Sequence, residues 1–255
     1  MICNERAFLV MIIILRRRTL PLYFLLFFGL AILSGIVLSV KHIEVRPVFS
    51  ANDHREVIYI LDAGHGGEDG GAVSTAGIKE SGINLQIAQK IDAVMIFLGE
   101  ETLMTRKEDI SIYSEGAESI RQKKASDLKN RVAIVQSTDH AVLVSIHQNS
   151  LPDSPRVHGA QVFYGAGEWS KELAGSVQRT LNKIVNIESE KQEKKIDPSI
   201  YLMKNVDCPA ILIECGFMSN PVESEKLQDL SYQKRIASGI TGGILSMKFE
   251  ESGEK

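Results

Sequence analysis

Four side chains along the sequence are of types that bind a metal or move a proton. His65 lies in a glycine-rich segment, and His147 and Glu214 each follow directly on an apolar run. Glu80 stands just before a segment with helical periodicity. A catalytic zinc site uses imidazole nitrogen and carboxylate oxygen as three ligands, with an open position for water and a second carboxylate as general base. Two histidines and two glutamates therefore suffice for metal-assisted hydrolysis.

The same residue types have other uses. A lone histidine after a strand is more often a hydrogen-bonded residue than a ligand, and we interpret His42, His54, His140 and His158 in that way. A glycine-rich loop can cradle phosphate, but the sequence contains neither G-x-G-x-x-G nor G-x-x-x-x-G-K-[ST]. It also lacks H-E-x-x-H, which disfavours a protease of the thermolysin type.

The elements that must position these residues are visible as short apolar runs. Residues 57–61, 141–146 and 210–213 are continuous apolar segments of strand length, typical of central strands buried on both faces of a parallel sheet. Residues 102–105 and 160–164 are weaker candidates. Ligands bind at the carboxyl ends of strands in open α/β sheets, so His65, His147 and Glu214 are expected to converge there.

Helical patterns lie between the predicted strands. Two sets of apolar residues recur at intervals of three to four and describe helices with one buried stripe: Ile83, Ile87, Ile91, Met95 and Leu98, then Leu173, Val177, Leu181 and Val185. The alternation predicts a single α/β domain with a mainly parallel central sheet flanked by helices, over residues 57–250. The charged stretch 188–195 is interpreted as a solvated helix end or a surface loop.

The N-terminal region has the features of a membrane segment. Residues 21–40 carry no charge, and about 20 helical residues span the apolar core of a bilayer. The arginines at 16–18 precede this segment, which by the positive-inside rule predicts that residues 1–20 are cytoplasmic. We therefore expect an N-terminal transmembrane helix over 21–40 and a tether over 41–56. A cleaved signal sequence is the alternative, with secretion to the cell wall as its result.

The charge of the chain argues against nucleic-acid binding, and the positions of its cysteines argue against a disulfide. Four arginines and one glutamate give residues 1–40 a charge of +3, so the overall −3 leaves −6 on residues 41–255. This charge is not that of a nucleic-acid-binding surface, and no nucleic-acid partner is expected. Beyond residue 40 the cysteines are Cys208 and Cys215. If a strand joins them, they are too far apart for a disulfide.

A series of short motifs follows residue 56 and extends over nearly the whole of the remaining chain. These motifs are Asp62-Ala63-Gly64-His65-Gly66-Gly67 with Asp69-Gly70-Gly71-Ala72, Lys79-Glu80 with Asn84-Leu85, Met104-Thr105-Arg106 with Asp109, Asp127-Leu128 with Arg131, Ser145-Ile146-His147-Gln148-Asn149, Gly159-Ala160 with Tyr164, and Glu214-Cys215-Gly216-Phe217-Met218-Ser219-Asn220. In these motifs and in their order, residues 57–247 resemble the zinc-dependent N-acetylmuramoyl-L-alanine amidases of bacterial cell walls.

The resemblance implies a role for each of the four chemically capable residues. His65, Glu80 and His147 would bind one Zn²⁺, and Glu214 would be the catalytic carboxylate that cuts the amide between N-acetylmuramic acid and L-alanine of peptidoglycan. The sequence departs from the family at Gln148, where the resemblance leads us to expect alanine. This departure removes no ligand but bears on contacts around the site.

A finer resemblance concerns the biological role. The combination of one N-terminal anchor, one catalytic domain and no wall-binding repeat is similar to the germination-specific amidases of spore formers, which act with a deacetylase to make muramic δ-lactam in the spore cortex. The alternatives are a general vegetative autolysin or cell-separation amidase, and an inactive membrane-tethered peptidoglycan-binding protein. The predicted membrane segment and the arginines before it place the catalytic domain on the outer face of the cytoplasmic membrane. The sequence leaves open whether an accessory activating protein is a partner.

Overall fold

The computed structural model describes residues 57–253, with the side chains of 57–247. These residues form an α/β domain with helices on both faces of a six-stranded sheet. None of the described helices has the length and apolarity needed to cross a bilayer. The predicted cytoplasmic segment (1–20), transmembrane helix (21–40) and tether (41–56) all lie outside the described residues.

The sheet is mixed rather than wholly parallel. Its spatial order is β2-β1-β3-β6-β4-β5, in which β1 pairs in parallel with β2 and β3, and β3 pairs in parallel with β6. Strand β4 pairs antiparallel with β6 and parallel with β5, so the last two strands reverse the direction of the first four. The strands are β1 (Ile58–Ala63), β2 (Glu101–Met104), β3 (Ala141–Asn149), β4 (Gln161–Tyr164), β5 (Lys194–Lys195) and β6 (Ala210–Phe217).

Helices cover the two faces of the sheet unequally. They are α1 (Glu80–Phe97), α2 (Ile120–Gln136), α3 (Glu168–Ile184), α4 (Tyr201–Lys204), α5 (Pro221–Lys226) and α6 (Leu230–Gly253). The apolar cluster under α1, α3 and α6 includes Leu61, Val144 and Ile213, and the smaller cluster under α2 and α4 includes Leu143 and Leu212. Alternate residues of each central strand thus face opposite cores, as expected for strands buried on both sides.

The predicted helical stripes are buried except at their last positions. Ile83, Ile87, Ile91 and Met95 of α1, and Leu173, Val177 and Leu181 of α3, belong to the larger cluster. Leu98 and Val185 follow the last residues of these helices and are only partly buried. Both weaker strand candidates are also confirmed, because β2 and β4 overlap them with a shift of one residue at one end or both. Cys208 and Cys215 are free, as predicted from their separation.

Two strands extend beyond their apolar runs, and one expectation was wrong in part. The runs stop at residues 146 and 213, but β3 continues to Asn149 and β6 to Phe217, so His147 and Glu214 lie within the carboxyl ends of strands. The charged stretch 188–195 was interpreted as a helix end or loop, but its last two residues form the short edge strand β5. Both lysines of β5 are exposed, as is common in short edge strands, so this strand has no apolar pattern by which to recognise it.

Candidate metal centre

The four predicted site residues come from four different elements and lie near the carboxyl ends of the central parallel strands. His65 lies in the loop that follows β1, and Glu80 is the first residue of α1. His147 of β3 and Glu214 of β6 are paired in register on neighbouring parallel strands, so their side chains emerge on the same face. The structure therefore brings together all four side chains that the sequence singled out.

Three of these residues form a group of the size that surrounds a single ion. Glu80 Oε1 lies 3.0 Å from His147 Nδ1 and 3.5 Å from His65 Nε2. The two imidazole rings meet edge to face, with centroids 5.0 Å apart and an angle of 76° between the planes. One ligand atom from each residue lies within 4.8 Å of the other two. The geometry groups His65, Glu80 and His147 as three potential ligands.

The Glu80 carboxylate is fixed from several sides. Its Oε2 accepts a hydrogen bond from the Ala72 backbone N–H at 2.8 Å, and its Oε1 accepts from the Gln148 N–H at 3.0 Å and from Asn84 Nδ2 at 3.1 Å. Burial alone would raise the pKa of Glu80, but the hydrogen bond from His147 and the charges of the two imidazoles outweigh it and lower the pKa to about 2. Glu80 is therefore an ionised carboxylate, the form that binds a metal.

His65 has a carboxylate partner on its other ring nitrogen. His65 Nδ1 lies 3.0 Å from Asp69 Oδ2, and Lys124 contacts the same oxygen at 3.1 Å. The hydrogen bond with His65, opposed by burial and reinforced by Lys124, holds the pKa of Asp69 well below its usual range. A proton held on Nδ1 leaves Nε2 free as a neutral ligand, which is the usual way a carboxylate orients a metal-binding imidazole.

Buried arginines hold the backbone that carries His65. Arg131 donates to the His65 carbonyl at 2.7 Å and to Asp62 Oδ1 at 2.6 Å, and Arg106 donates to the Gly64 carbonyl at 3.0 Å. His65 itself has a φ of 61°, a left-handed conformation that few residues other than glycine and asparagine adopt readily. The strained loop thus depends on ion pairs and hydrogen bonds from α2 and from the segment after β2.

Two glycines allow the ligands to approach so closely. A Cβ atom at Gly64 would lie 2.2 Å from His147 Cε1, much closer than two carbon atoms in van der Waals contact. At Gly71, where φ is 68°, a Cβ would lie 2.5 Å from Glu80 Oε2. Any larger side chain at either position would displace a potential ligand.

Glu214 lies beside this group but is held differently. Its Oε2 is buried and has no hydrogen-bond partner among the described residues. Burial raises the pKa of Glu214 to about 7, an effect that the charge of His147 opposes and that of Glu80 reinforces. A carboxylate with one unsatisfied buried oxygen beside a ligand set is suited to exchange a proton with water or substrate.

The donor set fits zinc on its own chemistry. Two imidazole nitrogens and one carboxylate oxygen converge, as in catalytic zinc sites with three protein ligands. Glu214, in register with His147 on the neighbouring strand, adds a carboxylate with an unpartnered oxygen beside this set. Of the remaining histidines, His140 and His158 are not part of the group, and His42 and His54 lie outside the described residues.

Several supporting residues carry no assigned role in the sequence interpretation. Asp69, Asn84 and Arg131 belong to the quoted motifs, but periodicity gives no indication that they contact ligands or the ligand loop. An acidic residue four positions after a ligand histidine, as Asp69 is, was the available signal for a partner on the second ring nitrogen.

Comparison with known proteins gives consistent matches. The sequence model of a family described as N-acetylmuramoyl-L-alanine amidase matches residues 59–246. The germination-specific N-acetylmuramoyl-L-alanine amidase of Bacillus subtilis (strain 168) is 38% identical over 200 residues, which cover 78% of this chain and 82% of that protein.

Solved structures match over a similar extent. The CwlD amidase from Clostridioides difficile, determined in complex with the GerS lipoprotein, is 38% identical with a TM-score of 0.73, covering 76% of this chain and 99% of that one. An N-acetylmuramoyl-L-alanine amidase from Clostridium difficile 630 is 30% identical with a TM-score of 0.66, covering 78% of this chain and 100% of that one.

Proposed function

Because the chain belongs to the N-acetylmuramoyl-L-alanine amidase family, we propose that it is a zinc-dependent hydrolase that cuts the amide between N-acetylmuramic acid and L-alanine in peptidoglycan. The observation that carries this proposal is the convergence of His65, Glu80 and His147, with Glu214 beside them on the neighbouring strand. His65, Glu80 and His147 would hold the ion, and Glu214 would be the catalytic residue.

The roles of the residues follow from their surroundings. When bound, zinc would supply a Lewis acid that polarises a carbonyl and lowers the pKa of a water molecule. Glu214, with its unpartnered Oε2, accepts the proton of the attacking water and returns it to the departing L-alanine amine. Asp69 keeps the proton of His65 on Nδ1, and the N–H groups around Glu80 keep its carboxylate in place.

We expect the purified full-length protein, supplied with Zn²⁺, to release stem peptides that begin with L-alanine from isolated peptidoglycan. Mass spectrometry of the soluble fragments measures this directly, since cleavage elsewhere in the stem or in the glycan gives products of other masses. Binding to peptidoglycan without any cleavage would instead support the inactive binding protein. Release of a different fragment would indicate an amidase with another substrate.

The spore cortex is the proposed setting. The 38% identity with a germination-specific amidase supports this role over a general autolysin or a cell-separation enzyme. Muramic δ-lactam still present in the cortex of spores from a deletion strain would contradict it. The neighbouring solved structure contains a lipoprotein partner, which supports an accessory exported protein as a partner here. Peptide release by the purified protein that no other exported protein increases would contradict such a partner.

The proposed location is the outer face of the cytoplasmic membrane, with residues 21–40 as an uncleaved anchor. The segment is long enough to span, and carrying the arginines at 16–18 across a bilayer would be costly. We therefore expect the protein in the membrane fraction, with its catalytic domain accessible to protease from outside. N-terminal sequencing of the mature protein is the measurement. A start between residues 39 and 51 would show a cleaved signal and refute the anchor.

A further inference from the structure

Behind the potential ligands, two buried amide side chains form a hydrogen-bonded pair. Gln148 Nε2 donates to Asn84 Oδ1 at 3.1 Å. Asn84 Nδ2 in turn donates to Glu80 Oε1 at 3.1 Å and to the Gly64 carbonyl at 3.1 Å. Asn84 is fully buried and Gln148 is 3% exposed, so water does not compete for these bonds. The pair therefore links the loop of His65, the first turn of α1 and strand β3.

The neighbouring groups determine the orientation of both amides. Asn84 faces two acceptors, Glu80 Oε1 and the Gly64 carbonyl, so the NH₂ group of Asn84 must point toward them. Its oxygen then points toward Gln148, which must present its own NH₂ group. Gln148 thereby prevents the Asn84 amide from rotating to place its oxygen against the Glu80 carboxylate.

We infer that Asn84 and Gln148 are positioning residues, which fix the Glu80 carboxylate relative to the loop of His65 and so set the affinity of the site for zinc. Gln148 acts through Asn84 rather than on the ion. The inference rests on the proposed zinc function and deepens it, because it names the buried side chains that hold the Glu80 ligand in place. Partners that orient metal ligands typically contribute about 10–100-fold to affinity.

A purely structural role for Gln148 predicts a different outcome. Its Oε1 is buried without a hydrogen-bond partner among the described residues, which is a cost that an apolar side chain of similar size would remove. On stability alone, removing this oxygen offsets part of the cost of leaving Asn84 Oδ1 without a donor, so Gln148→Leu is expected to destabilise the fold only modestly, as Gln233→Leu would by leaving Gln86 Oε1 without its donor. If Gln148 is a positioning residue, the same substitution frees the Asn84 amide and weakens metal binding.

Gln233 provides a matched control. It is fully buried, its Oε1 also lacks a partner, and its Nε2 donates to Gln86 and Leu227 rather than to any group at the metal centre. Gln233→Leu therefore reproduces the change in burial and hydrogen bonding without touching the ligands.

The experiment measures Zn²⁺ affinity of the full-length protein by competition with a chromophoric chelator, and thermal unfolding in the presence of EDTA. We expect Gln148→Leu to lower the affinity about tenfold, Gln233→Leu to leave it unchanged, and both to unfold without metal at similar temperatures. In an Asn84→Leu background, Gln148→Leu should cause no further loss, because it acts through Asn84.

Each outcome decides between the alternatives. Equal zinc affinities of the wild-type, Gln148→Leu and Gln233→Leu proteins would overturn the inference alone, as would equal losses in both leucine variants. Additive losses in the double variant would refute the route through Asn84. A wild-type protein that binds no Zn²⁺ would overturn the proposed metal site and this inference with it. If Asn84→Leu does not fold, the comparison of Gln148→Leu with Gln233→Leu still decides.

Discussion

Replacing Glu214 with glutamine is expected to abolish hydrolysis while leaving zinc binding intact. Glutamine has the shape of glutamate but cannot accept a proton, and loss of a general base typically lowers the rate by about 10²–10⁴-fold. Glu214 is not one of the three grouped ligands, so His65, Glu80 and His147 remain in place in the variant. Peptide release from peptidoglycan and metal content after dialysis measure the two effects on the same preparation.

Glu225→Gln is the control for this substitution. Glu225 is an exposed residue of the short helix that follows β6, so its replacement tests whether loss of a glutamate charge near the strand end is enough to slow the reaction. We expect it to retain wild-type activity. A Glu214→Gln protein with more than about a tenth of the wild-type rate would contradict the assignment of the general base.

Replacing either histidine is expected to remove zinc and activity together. His147→Ala deletes one imidazole, while His65→Asn deletes the other with a residue that tolerates the φ of 61° at this position. With three protein ligands reduced to two, the remaining donors cannot complete a catalytic zinc site. Metal analysis should show zinc in the wild-type protein and none in either variant, and chelation should abolish wild-type hydrolysis.

His140→Asn serves as the matched control for the histidine variants. His140 also has a positive φ, of 53°, but it precedes β3 at the opposite end of the strand from His147 and is not part of the ligand group. We expect this variant to keep both zinc and activity. Active protein that contains no zinc and is insensitive to chelators would refute the proposed metal dependence.

The apolar runs predicted the centre of the fold well because burial on both faces leaves a clear signal. Strands β1, β3 and β6 contain the continuous apolar segments recognised in the sequence, apart from Val57. Beyond these segments, the ladder hydrogen bonds continue through His147 and Glu214 whatever their side chains. Residue type and position, near strand ends or at the start of a helix, were enough to single out four side chains that the fold brings together, whereas their separate roles came from the resemblance.

The direction of β4 could not be read from its composition. Strand β4 runs antiparallel to β3 without pairing with it, so the connection between these two strands needs no helical crossover, and it contains no helix. The expectation of a mainly parallel sheet came from alternating strands and helices elsewhere in the chain. Only the connection between β3 and β4 differs from what a wholly parallel sheet would require, and this connection is a loop without a periodic pattern.

Two long helices also left little trace in the apolar pattern. The buried face of α2 includes Asp127 and Arg131 together with only two valines, so its stripe is partly charged. Helix α6 has three glycines in its interior, at 239, 242 and 243, besides the one at its last position, and interior glycines lower helix propensity. In α2, charged residues that support the His65 loop take positions where apolar residues would show the helical period. In α6, glycines that allow close packing on α3 take such positions.

The distance along the chain between the ligands has a consequence for how the protein folds. The hydrogen bond between Glu80 and His147 joins residues 67 positions apart, and the strands that carry the site pair in parallel, so the ligands meet only after long loops have closed. In a zinc finger, by contrast, neighbouring ligands capture the ion and the chain folds around it. Here the three potential ligands come together only where β1 and β3 have paired, so an ion held by all three would enter a sheet that has already formed.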